Sequence, residues 1–133
     1  MILEKPQSEI TVNVLDNKFT VQYPKSGQMI DIAVLKAKLS ENQYSSLLYQ
    51  TSIEAPLALR LIDVYSFLTI MVPKIKEALA KKSFYDLEAF EAVELVHMYD
   101  SQILPWLNKW TQYINNRLDE LSGNNESDKS KLI

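Results

Sequence analysis

The sequence predicts a mainly helical protein with a small β element: an N-terminal β-hairpin followed by an antiparallel bundle of four to five helices. Three observations predict it. Residues 9–23 alternate apolar and polar side chains with period two, as half-buried strands do. From about residue 28 the apolar residues recur at spacings of three and four, the period of an amphipathic helix. Prolines and capping residues fall between those periodic stretches. At 133 residues one core is expected: an N-terminal arm over 1–8, a single domain over 9–122 (hairpin 9–23, bundle 28–122) and a C-terminal tail over 123–133.

In "EITVNVLDNKFTVQYP", Ile10, Val12 and Val14 share one face, and Phe19, Val21 and Tyr23 share one face after a polar turn expected around Asp16, Asn17 and Lys18. Two strands alone are marginal in water, so the ribbon has to lie on the helices or pair with another chain. After "PKSGQ", Ile30, Val34 and Ala37 fall at helical spacing, with Leu35 and Leu39 on the adjoining flank. Ser40 and Gln43 have the form of a capping box opening a second short helix, "ENQYSSLLYQT". Pro56 suits the first turn of the long apolar helix that follows, and Pro73 has to kink or divide it. Ser83 and Asp86 make a cap for the next helix, whose Phe84, Leu87, Phe90 (or Glu91), Val93 and Val96 recur at helical spacing. After Pro105, Ile103, Leu107, Trp110, Ile114, Leu118 and Leu121 define one seam, and Gly123 is the expected stop.

Composition excludes several function classes. Gly27 and Gly123 are the only glycines, too few for the loops that cradle nucleotide phosphates. A net charge of −3 argues against nucleic acid as the main partner, since that binding is driven by clustered cations. The lysines at 74, 76, 81 and 82 form the one basic cluster and read as a solvated helix end. With no cysteine there is neither a disulfide framework nor a thiolate nucleophile, and "MILEKPQSEI" lacks the pattern of a signal peptide. The apolar run from Ala55 to Pro73 is interrupted by Arg60 and Asp63, leaving about nine uninterrupted residues where a membrane span needs roughly 20. Arg60 and Asp63, three apart, can pair.

Catalytic signatures are weak. Glu94 and His97 satisfy Glu-x-x-His, but His97 is the only histidine, and di-iron bundles use that motif twice with two more carboxylates. His97, Asp100 and Ser101 share triad composition, yet their spacing on one helix cannot align nucleophile, base and orienter. Glu88, Glu91, Glu94, Asp119 and Glu120 lie where an amphipathic helix keeps its wet face. We therefore expect no catalytic, cofactor-binding or metal-ligating residues and no small-molecule substrate. Trp106 and Trp110, four apart, form an aromatic stripe with Tyr113 that suits a core or a protein interface, Trp and Tyr being common at interface hot spots. The tail "NNESDKSKLI" is polar except for Leu132 and Ile133, which would gain from docking. The interface candidates are thus Trp106, Trp110, Tyr113, Leu132 and Ile133.

At "YPKSGQMIDIAVLKAKLSENQYSSLL" and "FYDLEAFEAVELVHMYDSQILPWLNKW" the chain resembles small proteins encoded among the morphogenesis genes of tailed phages, including crAss-like phages. The shared pattern is a hairpin with a following Gly-Gln-x-Ile-Asp-Ile stretch (residues 27–32) and then Tyr-x-x-Gln-x-x-Pro-Trp (Tyr99, Gln102, Pro105, Trp106), over residues 9–118. The resemblance implies a virion structural or assembly protein near the portal or tail, assembled in the host cytoplasm, that binds larger protein subunits. It carries over no active-site residue. An assembly chaperone absent from the particle, and a small metal bundle enzyme using Glu91, Glu94 and His97, are the alternatives.

Overall fold

The computed structural model describes residues 4–43, 46, 54–79 and 84–123. They form an N-terminal antiparallel hairpin on a mainly helical body. Strand β1 (Glu9–Val14) pairs with β2 (Asn17–Gln22) in the register Ile10 to Val21, Val12 to Phe19 and Val14 to Asn17. Val12, Val14 and Val21 are buried. Each contributes about 1.5–3 kcal/mol on burial, which offsets the marginal stability of a lone ribbon.

The turn lies one residue earlier than the polar triplet suggests. Leu15 and Asp16 are the two loop residues, with φ of 47° and 69°, the left-handed pair that matches hairpin twist. Asn17 is already in β2 and donates its side-chain amide to the Leu15 carbonyl. Leu15 packs against the core, so apolar contact holds a residue in a conformation its side chain disfavours.

Helix α1 spans Ser26–Leu39, α2 Glu54–Met71 and the one-turn α3 Ile75–Ala78. A 3₁₀ turn, Phe84–Asp86, leads to α4 (Ala89–Met98), a π turn (Tyr99–Ile103) and α5 (Leu104–Leu121). Because the π turn joins α4 to α5 without leaving helical geometry, the described residues hold three long helical bodies, α1, α2 and the α4–α5 rod, and not the four to five of the sequence expectation. Pro73 divides α2 from α3 as its missing N–H requires. Pro105 falls at the start of α5. It cannot donate to the Ser101 carbonyl one turn back, and the wider turn accommodates the break: the Leu104 N–H reaches the Tyr99 carbonyl, five residues back.

Two expected caps move. Ser40 ends α1 and does not start a helix: its N–H and hydroxyl both donate to the Lys36 carbonyl, and Glu41 and Asn42 then turn the chain at positive φ. The second short helix expected after it falls mostly outside the described residues. Helix α4 starts at Ala89 and not at Ser83, which also lies outside them. Its capping box is Glu88 with Glu91, the Glu91 carboxylate accepting from the Glu88 N–H.

The core lies between the hairpin, α2 and the rod. It includes the three valines, Val64, Phe67, Leu68 and Met71 of α2, Ile75, and Leu95, Met98, Tyr99, Ile103, Trp106 and Trp110 of the rod. Of the expected stripe, Phe84, Leu87 and Val96 pack against the core, but Phe90 and Val93 are exposed, and Ala92, Leu95 and Met98 are the buried residues of α4. Helix α1 packs on α2 but has no fully buried residue. Ile32 touches the core, whereas Ile30 and Val34, expected inside, are 63% and 62% exposed. Both departures have one reason: each of these helices carries apolar residues on more than one side, so spacing does not single out the face that finds a partner.

Candidate interaction surface

The two tryptophans are set by the rod. Residues 106 and 110, four apart on α5, face the same way and are 6% and 9% exposed. Tyr23, at the end of the hairpin, stacks on Trp110 with ring centroids 4.5 Å apart and meets Trp106 edge-on at 5.9 Å. Tyr113 meets Trp110 edge-on at 5.8 Å and is half-buried. Both indole N–H groups donate to one acceptor, the Gln7 carbonyl of the N-terminal arm, at 2.7 and 2.9 Å. Buried indole nitrogens need such a partner, and here the arm supplies it. Burial pushes the Tyr23 phenol above its ordinary range. Leu132 and Ile133 lie outside the described residues.

The π turn makes the second tie. Gln102 accepts from the Asn13 N–H at 2.8 Å and donates to the Asn13 carbonyl at 3.2 Å. Its amide thereby imitates the residue of a neighbouring strand, which would exchange the same two bonds. Ser101 covers carbonyls in the widened turn by donating to His97 and Met98. The adjoining acids and bases bind the three helical bodies together: Lys36 of α1 pairs with Asp63 of α2 at 2.9 Å, Arg60 pairs with Asp63 at 3.7 Å as its spacing predicts, and Arg60 also bonds Asp100 of the π turn. All are partly solvated, so each pair contributes about 1 kcal/mol or less. Beneath them, burial pushes the Tyr99 phenol up to about 12, Asp63 and Asp100 raising it further while Arg60 opposes them.

The residues of the metal-bundle alternative do not gather a ligand set. Glu91 caps α4, Glu94 lines a hollow beside the hairpin tip with Asp16, and His97 is exposed on the rod. Among the described residues no group of three or more His, Cys, Asp or Glu converges. The basic cluster is described only in part: Lys74 is exposed, and Lys81 and Lys82 lie outside the described residues. No helix among the described residues is long and apolar enough to cross a membrane.

The distinctive surface is apolar. Met29, Ile30 and Val34 of α1, Phe90 and Val93 of α4, and Leu118 and Leu121 at the far end of α5 are all exposed. The last two belong to the expected seam, which is buried at Ile103 and Trp110 and then runs beyond the hairpin into solvent. Protein-family models, curated proteins and solved structures give no match to this chain. Periodicity points to the right residues on α1 and α4 but to the wrong role for them; Gln102 gives no signal beyond standing three residues before Pro105.

Proposed function

We propose that the chain is a non-catalytic structural or assembly protein of a tailed-phage particle, binding larger subunits near the portal or tail, with the domain packed as a small helical bundle under its hairpin. The observation that carries the binding role is the α1 face: Met29, Ile30 and Val34 stand in solvent on a helix whose other side is occupied by α2. Leaving such side chains exposed forfeits about 1.5–3 kcal/mol each relative to burial, and contiguous apolar patches on a surface mark places where another protein sits. The phage setting rests on the resemblance at residues 27–32 and 99–106.

Quantitative mass spectrometry of purified particles against the major shell protein tests this reading. A fixed copy number per particle supports it. Presence in the infected-cell lysate with absence from particles would make the chain a transient assembly factor, and absence from both would remove the phage setting.

A further inference from the structure

Strand β1 has an outer edge that the described residues fill at only one rung. The Tyr23 N–H donates to the Ser8 carbonyl, which fixes the alternation of the ladder: residues 8, 10, 12 and 14 bond β2, while the backbone groups of Glu9, Thr11 and Asn13 point away from it. At Asn13 those groups are taken by the Gln102 amide. At Thr11 and Glu9 no described group takes them. Those open rungs border a hollow of about 450 Å³ along Gln7 to Thr11. It shares Gln7 and Ile10 with a larger groove of about 560 Å³, whose floor includes Pro105 and Trp106 and whose rim carries Glu4, Lys5 and Lys109.

We propose that this groove binds an extended segment of a partner protein, which adds to β1 as a third strand at Thr11 and Glu9, with Gln102 setting its register. The proposal rests on the reading of the chain as a protein-binding subunit and adds a second contact site apart from the α1 face. Only an extended backbone offers donors and acceptors at the spacing of the open rungs. The floor of Ile10, Pro105 and Trp106 takes an apolar side chain, and Lys109 with Lys5, outweighing Glu4, favours an acidic residue beside it. A second copy of the hairpin centred on Thr11 does not fit. Two-fold antiparallel pairing about Thr11 sets Glu9 of one copy opposite Asn13 of the other, where Gln102 already stands. A free segment that turns away at Gln102 meets no such obstacle.

The test uses the full chain and a displayed library of random decapeptides, with the enriched peptide synthesised and its Kd measured by fluorescence anisotropy. Thr11→Pro removes the one outward N–H at the centre of the site without breaking a bond within the chain, as proline is tolerated at such edge positions. Thr20→Pro makes the same change on the outer edge of β2. We expect the peptide to bind the wild type, Thr11→Pro to weaken it about tenfold or more, and Thr20→Pro to leave it unchanged. Slower exchange of the Thr11 N–H in the wild-type complex gives the same answer should Thr11→Pro fail to fold.

The proposal is overturned if no peptide is enriched, if Thr20→Pro alone abolishes binding, or if neither substitution matters. It is also overturned if the chain forms a concentration-dependent dimer that Thr11→Pro dissolves. A fixed copy number in particles combined with any of these results would leave the assembly role standing and remove the groove from it.

Discussion

Helices α5 and α1 carry apolar stripes of similar spacing, Trp106–Trp110 on one, continuing Ile103 of the π turn, and Ile30–Val34 on the other, yet the first is buried and the second stands in solvent. On α5 the stripe is bordered by Asn108, Lys109, Thr111 and Gln112, all of them polar, so only one face can turn inward. On α1 the stripe is flanked by Ile32, Leu35 and Leu39, which are partly buried on a helix that packs against α2. A strongly one-sided helix states which face is core; a helix apolar on two sides states only that both faces want cover. The second side of α1 is therefore where a partner is to be sought.

The largest effect that sharpens this comparison is expected at the buried stripe. Trp110→Ala removes an aromatic contact with Tyr23 and Tyr113 and one of the two donors to the Gln7 carbonyl. A loss of about 3–5 kcal/mol in chemical denaturation is expected, the usual range for deleting a buried aromatic. A loss below about 1 kcal/mol would place Trp110 among the surface residues and dissolve the contrast with α1.

Next in size is the pH dependence beneath the ion pairs. The Tyr99 phenol ordinarily ionises near 10 and is held up to about 12 in the folded chain, chiefly by burial. The neutral form is thus favoured by folding. The stabilisation is fully present below pH 10, and it is lost as pH rises from 10 through 12. Each tenfold change in the ionisation equilibrium corresponds to about 1.4 kcal/mol, so the loss across that window is on the order of 2 kcal/mol. Tyr99→Phe should remove most of this alkaline slope in denaturation curves recorded across that window, whereas an unchanged slope would mean that the phenol is solvated. Helix α1, which carries no tyrosine, has no buried phenol to respond in this way.

Much of this architecture is legible in the sequence. The hairpin faces, the division at Pro73 and the seam beginning at Ile103 follow from period and from the missing proline N–H, which are local facts. The turn at Leu15–Asp16 is not, because an apolar residue in a left-handed conformation is chosen by tertiary contact. Nor is the joining of α4 to α5, where a wider turn replaces the break that Pro105 leads one to expect. The site is the least legible part. Gln102 acts through residues 89 positions away in the chain, and no spacing rule reports a side chain that substitutes for a strand. The Trp pair is readable as aromatic and helical, but its acceptor in the arm, Gln7, is a backbone carbonyl that any residue could have supplied.

Gln102→Ala is expected to have a smaller effect, because it removes two exposed hydrogen bonds to Asn13 that together contribute about 1–2 kcal/mol. Faster amide exchange at Asn13, with the Trp106 and Trp110 environment unchanged, would show that the hairpin is held to the rod at two separable points. A change in both regions at once would mean that the arm, the hairpin and the π turn respond as one unit.

The smallest effect on stability is expected where the comparison is most exposed to failure. Replacing Ile30 and Val34 together by Ser leaves the partly buried flank of Ile32, Leu35 and Leu39 intact. The substituted side chains already meet solvent, so stability should stay within roughly 0.5 kcal/mol, apart from a small contribution from helix propensity. On the proposed particle role, copies per particle should fall sharply in the same variant. A destabilisation of several kcal/mol would show that α1 covers these residues from within its own chain. Unchanged stability together with unchanged incorporation would remove the α1 face as the docking surface, leaving the strand edges and the far end of α5, where Leu121 is 71% exposed, to carry the contact.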